Sequence, residues 1–237
     1  MDDKNSPDTS MEAAKSLILQ AALPHAAFDG WSEATLQAAL TDSGVAPGLG
    51  RALFPRGGID LAVAYHQHGD NAMTEALAAT DLTALRYTNR VALAVKLRLM
   101  GAQNETGADK ELVRRGTTLF SLPHHAPEGA KLIWSTADAI WKALGDTSTD
   151  LNWYSKRATL SAVYTATVLF WLGDQSEENA DTWAFLDRRL ANVTAFEKTK
   201  AAISNNPLAK ALLNGPLKLL DKIRAPQPHD LPGQTKP

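Results

Sequence analysis

The stretch QAALPHAAFDGWSEATLQAALTDSGVAPGLGRALFPRGGIDLAVAY, residues 20–65, decides the fold class. Runs rich in Ala and Leu alternate with the breakers Asp-Gly, Ser-Gly-Val and Pro-Arg-Gly-Gly at helix-length intervals. The pattern predicts a first helix from Thr9 to Phe28 and further helices over about 32–41, 47–54 and 58–68. Pro24 is expected to kink the first helix or end it early, and Gly69 to end the fourth.

The rest of the chain continues the helical pattern, and no segment alternates apolar and polar residues as a strand would. Longer helices are expected over about 70–79, 81–101, 107–120, 128–144, 149–172, 176–200 and 207–224. The sequence therefore predicts an all-α protein. The expected division is a disordered N-terminus (1–10), a helix-turn-helix-like unit (11–69), a larger helical domain (70–200), an amphipathic helix (201–225) and a disordered tail (226–237).

Composition excludes several classes of protein. Of the 237 residues, 44% are hydrophobic and 21% are charged, which suits a globular protein with a sizeable core. Cysteine is absent, so there is no disulfide, zinc-thiolate site or thiol nucleophile. The first residues, MDDKNSPDTS, are acidic and polar where a signal or transit peptide would be basic. We therefore expect a protein of the cytoplasm.

Signals for catalysis are weak. His66 and His68 point about 200° apart on a helix, and the adjacent His124 and His125 would diverge in the same way. The sequence contains no phosphate-binding loop, dinucleotide fingerprint, HExxH or GxSxG motif, and no paired Glu-x-x-His motifs. For His66 and the nearby Asp70, a helix-end ion pair or a solvated histidine is expected. We expect a protein that is not an enzyme, with no catalytic residue, metal or cofactor.

Residues 20–65 resemble the helix-turn-helix of TetR-type transcriptional regulators. A protein that reads DNA needs cations to neutralise phosphates. Across residues 11–70 the chain carries Lys15, Arg51 and Arg56 against six acidic residues, so three minus six leaves a charge of −3. We expect this unit not to bind nucleic acid, and a TetR-type regulator stays as the alternative.

The C-terminal segment PLAKALLNGPLKLLDKIR predicts an amphipathic helix with a leucine face opposite a basic face. This arrangement is typical of a helix that lies in a membrane interface. The alternative is a last helix packed on its own domain or on a second subunit, and Gly215-Pro216 weakens both interpretations. The expected membrane-facing residues are Leu208, Leu212, Leu213, Leu219, Leu220 and Ile223.

Residues 145–157, GDTSTDLNWYSKR, contain an adjacent aromatic pair, Trp153 and Tyr154. Thr149 and Asp150 suit the start of a helix, because their side chains can cap free amides. The following run ATLSAVYTATVLFWL is apolar on nearly all faces, which predicts a central helix. At least one ring of the pair is expected near the surface, as a binding patch or as a half-buried cap.

The segment GDTSTDLNWYSKRATLSAVY and the later DTWAFLDRRL resemble the Coq nine family of ubiquinone (coenzyme Q) biosynthesis proteins, whose hallmark is the run S-T-D-x-N-W-Y-x-[KR]-R. The likeness covers roughly 15–200 and includes LILQAALPHAAFDGWSEATL and LPHHAPEGAKLIWSTADAIW. It implies a TetR-like fold without DNA binding and an isoprenoid lipid or ubiquinone intermediate held in the helical domain. It also implies membrane contact through the C-terminal helix and a partner hydroxylase for demethoxyubiquinone, the di-iron enzyme Coq seven.

In family terms, the residues expected to dock the hydroxylase are Asp150, Asn152, Trp153, Tyr154 and Arg157. The residues expected to contact the lipid, on the helices expected to enclose it, are Leu93, Leu97, Trp134, Trp141, Leu160, Tyr164 and Phe170. For each of them, ordinary core packing is the alternative. A eukaryotic relative would carry a mitochondrial presequence, so we expect a bacterial protein, peripheral on the inner face of the cytoplasmic membrane. A homodimer is a further possible assembly. A small lipid-modifying enzyme would need a cluster of polar groups that the sequence does not offer.

Overall fold

The structure is a computed structural model that describes residues 7–101 and 109–204, and all the regular elements in these ranges are helical. The prediction of an all-α protein is confirmed. The helices are α1 (Pro7–Asp29), α2 (Glu33–Ser43), α3 (Pro47–Leu53), α4 (Gly58–Ala78), α5 (Tyr87–Met100), α6 (Asp109–Ser121), α7 (Ala126–Ala143), α8 (Leu151–Gly173) and α9 (Ala180–Ser204), with a 3-10 turn at Glu177–Asn179.

The chain forms two compact units. Of the described residues, the first comprises 7–81, 94–101 and 109–133, and the second comprises 82–93 and 134–204. Both α5 and α7 therefore contribute residues to each unit. The predicted boundary after residue 69 falls inside α4, and the extents of the domains stay a prediction.

The first unit has an apolar core at the helix-turn-helix. Ser32 caps α2, since its hydroxyl accepts a hydrogen bond from the Thr35 amide at 3.2 Å. Trp31, in the turn before that cap, is buried and donates from Nε1 to the Leu112 carbonyl of α6 at 3.2 Å. The core around it is formed by Ile18, Leu36, Phe54, Leu61 and Leu112.

Two helices run past the breakers that were expected to end them. Helix α1 continues through Pro24 to Asp29. Gln20 and Pro24 are both exposed, so water can solvate the carbonyl that proline leaves without a donor. Helix α4 continues through Gly69, where an added Cβ would lie 2.5 Å from Nη1 of Arg98. This glycine provides space for a neighbouring guanidinium and does not end the helix. The expected helix over 81–101 begins later, at Tyr87.

The same guanidinium corrects the expectation for His66. Arg98 Nε donates to Asp70 Oδ1 at 2.6 Å in a buried ion pair, while His66 Nε2 lies 3.7 Å from Asp70 Oδ2. Burial and, after it, the positive charge of Arg98 together lower the pKa of His66 to about 4. His66 is therefore a neutral, largely buried ring near pH 7 and not a charged or fully solvated histidine.

Replacing Gly58 by alanine is expected to destabilise the first unit. Its Cβ would lie 2.4 Å from the backbone amide of Ser32 and from the Trp31 carbonyl group, and backbone atoms cannot rotate away. We expect the free energy of unfolding, from urea titration, to fall by about 1–3 kcal/mol. Gly48→Ala in α3 is the control, since nothing lies within 4 Å of its added Cβ. An equal loss in both variants would contradict the packing argument.

Candidate docking surface and neighbouring residues

An aromatic patch lies where α8 begins, formed by Trp134, Trp153 and Tyr154. The rings of Trp153 and Tyr154 meet edge to face with centroids 4.7 Å apart. Trp134 of α7 lies 6.0 Å from the first ring and 6.5 Å from the second. All three side chains are half-buried, so each ring is held by its neighbours while part of it stays accessible.

A polar rim borders the patch at the start of α8. Asp150 is the N-cap, as the sequence predicts, and its carboxylate accepts from the Asn152 amide at 2.9 Å. The second oxygen accepts from Asn152 Nδ2 at 3.0 Å. Both residues are exposed, and Leu151 between them is 39% exposed. The structure therefore brings four of the five predicted docking residues together at one accessible helix start.

The fifth, Arg157, lies underneath. Its side chain is only 2% exposed, so it is not a surface contact, and the expectation is corrected on this point. The guanidinium lies over the Trp153 ring at 4.0 Å and donates from Nη1 to the Trp153 carbonyl at 3.0 Å. Its Nε donates to Asp138 Oδ1 at 2.6 Å and its Nη1 to Asp146 Oδ2 at 3.2 Å. Arg157 therefore supports the ring from below.

Asp146, in the turn between α7 and α8, joins two cations. Its Oδ1 accepts from Lys156 Nζ at 2.7 Å, and its Oδ2 accepts from Arg157. The Ser148 hydroxyl also donates to Oδ1, at 2.8 Å. Burial acts to raise the pKa of Asp146, but the hydrogen bonds from Lys156, Ser148 and Arg157 outweigh it and lower the pKa to about 2. We call Asp138, Asp146, Lys156 and Arg157 the charged cluster.

The charged cluster also touches a second aromatic pair. Lys156 Nζ lies 5.5 Å from the Trp141 ring, and Tyr87 stacks on that ring with centroids 5.8 Å apart. Tyr87 is 46% exposed. Sequence reasoning missed Tyr87, Asp138 and Asp146, because only the packing of α5, α7 and the turn against α8 brings them together.

The predicted lipid-binding residues differ in their burial and are divided between the two units. Trp141, Leu160 and Tyr164 are buried and Leu93 is half-buried, all in the second unit. Leu97 falls in the first unit, and Trp134 belongs to the aromatic patch. Phe170 is 38% exposed, so it does not line an interior cavity of this chain.

Helix α8 is less buried than its apolar composition predicts. Leu169 is 57% exposed, and Phe170 stacks on Phe185 of α9 with centroids 4.6 Å apart. Arg189 lies 5.1 Å from the Phe185 ring. The outer face of α8 and α9 is therefore apolar and accessible in the single chain.

On the helix-turn-helix-like unit, carboxylates pair with Lys15, Arg51 and Arg56. Lys15 pairs with Glu12 at 3.0 Å. Arg51, on α3, makes a two-pronged contact with Glu33 of α2. Arg56 donates through both terminal nitrogens to Glu128 and through Nε to Asp60. Phosphate contacts from these side chains would first have to break ion pairs.

The described residues hold neither a metal-ligand cluster nor a spanning segment. In residues 7–101 and 109–204, no group of three or more His, Asp or Glu is placed to hold a metal ion. No helix in the same ranges is long and apolar enough to cross a bilayer.

Relatives of the chain match the segment that carries the patch. The COQ9 family profile matches residues 126–197, which contain the aromatic patch and the charged cluster. The chain belongs to the COQ9 family. The human mitochondrial ubiquinone biosynthesis protein COQ9 is 36% identical over 101 residues, covering 43% of this chain and 31% of that protein. The Xenopus tropicalis protein of the same name is 30% identical over 194 residues, covering 77% of this chain and 58% of that one. The chain thus spans about a third to three fifths of the length of these relatives.

A solved structure shares the fold. A TetR transcriptional regulator from Nitrosomonas europaea superposes with a TM-score of 0.61 at 19% sequence identity. The match covers 76% of this chain and 97% of the regulator. This COQ9-family chain therefore has a TetR-like fold, as its sequence predicts.

Proposed function

We propose that this chain is a non-catalytic accessory protein of ubiquinone biosynthesis, which binds an isoprenoid quinone intermediate and presents it to a membrane-associated demethoxyubiquinone hydroxylase. The observation that carries the proposal is the aromatic patch at the start of α8, within the segment matched by the COQ9 profile. Tryptophan and tyrosine are enriched among the residues that dominate binding at protein interfaces. The exposed Asp150 and Asn152 give the patch a polar rim of the kind such interfaces have.

The physical need for such a protein follows from the substrate. An intermediate with a long isoprenoid tail is almost insoluble in water, because its apolar surface is costly to hydrate. An enzyme that acts on the head group benefits from a protein that shields the tail while the head is presented. In this proposal the helical second unit shields the tail, and the aromatic patch docks the enzyme.

Two buried donors in the second unit support a ligand with oxygen acceptors. Trp141 Nε1 and Ser161 Oγ are buried and have no hydrogen-bond partner among the described residues. A buried donor left without an acceptor is costly, so such groups call for a partner. Quinone and methoxy oxygens are acceptors, and an interior ligand head group would supply what these side chains need.

Replacing Trp141 by phenylalanine is therefore expected to weaken binding of a short-tailed quinone by roughly two- to tenfold, which corresponds to one neutral hydrogen bond. Calorimetric titration measures the effect. Trp183→Phe is the control, because Trp183 Nε1 already donates to the Glu178 carbonyl at 2.8 Å. Unchanged affinity in the Trp141 variant would remove this residue from the ligand site.

Membrane attachment belongs to the proposal as well. Its expected contacts are outside the described residues: Leu208, Leu212, Leu213, Leu219, Leu220 and Ile223. Peripheral binding at the inner face of a bacterial cytoplasmic membrane would place the chain where its lipid resides. The leucine face opposite a basic face is the sequence feature that supports this part.

We infer that the chain also forms a homodimer through the outer face of α8 and α9. The exposed Leu169 and the stacked Phe170 and Phe185 form an apolar surface there. Leu169→Glu is expected to raise the dimer dissociation constant at least about tenfold in sedimentation experiments, because a buried charge would be unpaired. Leu122→Glu, on an exposed leucine of the first unit, is the control. A wild-type monomer, or an undiminished dimer in the Leu169 variant, would contradict the inference.

The experiment that tests the function compares hydroxylation rates. Purified hydroxylase acts on demethoxyubiquinone held in vesicles of anionic lipid, with and without the chain. The proposal expects a several-fold faster initial rate with the chain. Equal rates would contradict it, and salt-dependent binding of the chain to duplex DNA would favour the alternative of a regulator.

A further inference from the structure

The ring of Trp153 is supported by a charged residue that itself depends on others. Arg157 lies against the ring at 4.0 Å and contacts the Trp153 carbonyl, yet its own position is set by two carboxylates. Asp138 comes from α7 and Asp146 from the following turn. The orientation of Trp153 therefore depends on elements other than the helix that carries it.

The two carboxylates have different environments. Asp138 also pairs with Lys142 at 2.7 Å, and that lysine is exposed. The Asp146 side chain is 2% exposed, and both cations that it binds lie over aromatic rings. Through Oδ1 it reaches Lys156 on Trp141, and through Oδ2 it reaches Arg157 on Trp153. One buried carboxylate thus connects both aromatic groups.

The turn holds Asp146 in place. Its amide donates to the Trp141 carbonyl at 2.9 Å at the end of α7. Ser148 donates its hydroxyl to Oδ1 and accepts from Lys156 Nζ at 2.7 Å. Asp146 is therefore held at its backbone amide and at Oδ1, and each of its carboxylate oxygens accepts a hydrogen bond from a cation.

From this geometry we propose that Asp146 is a positioning residue of the docking surface, which acts through Arg157 to hold Trp153 in the orientation that meets the partner. The inference rests on the proposed docking function and goes beyond it, because the buried Asp146 side chain is not itself part of the surface that would meet the hydroxylase. A ring that is already ordered loses less freedom on binding. Loss of the carboxylate leaves the two cations without a common partner and frees the ring to reorient.

The test uses the full chain labelled with 5-fluorotryptophan, with the Trp153 resonance assigned by a Trp153→Phe variant. In Asp146→Asn, the Trp153 resonance is expected to shift and broaden, and affinity for the hydroxylase to fall about tenfold. Asp146→Glu is expected to restore part of both. The control is Asp174→Asn, at the other end of α8, where the carboxylate caps the next turn through Ser176 and Thr182.

An unchanged Trp153 resonance in Asp146→Asn would overturn the proposal, as would an equal loss of affinity in the Asp174 variant. If Asp146→Asn does not fold, Asp146→Glu is measured alone, since it keeps the charge but moves the carboxylate by one methylene relative to Arg157. The Glu variant is expected to shift the same resonance by a smaller amount, and no shift would overturn the proposal. If wild-type chain does not bind the hydroxylase, the proposed function fails, while the resonance still decides whether Asp146 positions Trp153.

Discussion

Replacing both Trp153 and Tyr154 by alanine is expected to weaken binding of the hydroxylase by at least about a hundredfold. Alanine substitutions at dominant interface residues cost about 2–4 kcal/mol each, and about 1.4 kcal/mol is a factor of ten. The two rings meet edge to face and share Trp134 as a neighbour, so their effects should not be additive. Calorimetry or surface plasmon resonance with purified hydroxylase measures the loss.

Phe185→Ala is the matched control for that variant. Phe185 is also an aromatic residue in a stacked surface pair of the second unit, but it lies on α9 against Phe170. Its removal should leave the affinity for the hydroxylase within about threefold of wild type. An affinity of the double variant equally close to wild type would show that the aromatic patch does not dock this partner.

Replacing Arg157 by alanine is expected to lower the free energy of unfolding by about 2–4 kcal/mol, because it breaks a buried ion-pair network and leaves Asp138 and Asp146 with only the more exposed Lys142 and Lys156 as cationic partners. The Arg157 side chain is 2% exposed and pairs with the carboxylates of Asp138 and Asp146. The Asp146 side chain is also 2% exposed. The substitution also removes the guanidinium from the Trp153 ring. Urea titration followed by circular dichroism gives the free energy.

The control for this variant is Arg189→Ala. Arg189 is exposed and lies 5.1 Å from the Phe185 ring, and it forms no ion pair with another described residue. A surface substitution of this kind should change stability by less than about 0.5 kcal/mol. A loss below about 1 kcal/mol for Arg157→Ala would mean that the charged cluster contributes little to the fold.

Local signals in the sequence were sufficient for much of the fold. Asp150 caps α8 because a short acidic side chain can reach the free amides of the next turn, and that chemistry is readable in the sequence. The breakers of residues 29–58 mark the ends of α1, α2 and α3 for similar reasons. Helical periodicity and capping act over a few neighbouring residues, so they can be recognised in the sequence without knowledge of the fold.

Long-range packing decided the rest. Gly69 was expected to end a helix, but it lies opposite Arg98, which is 29 residues later in the sequence. Arg157 was expected at the surface, but Asp138 and Asp146 hold it beneath Trp153. The apolar run of α8 predicted a central helix, although Leu169 and Phe170 are exposed. In each case the outcome depends on a neighbouring element, and one sequence does not show which elements are neighbours.

The central claim is that the chain carries an isoprenoid quinone. The most direct measurement is native mass spectrometry with lipid extraction on full-length chain purified from a ubiquinone-making host. The account predicts a co-purifying isoprenoid quinone at near-stoichiometric amount, reduced in the Trp141→Phe variant. A wild-type chain that is folded, free of any quinone and unable to take up added demethoxyubiquinone would contradict it.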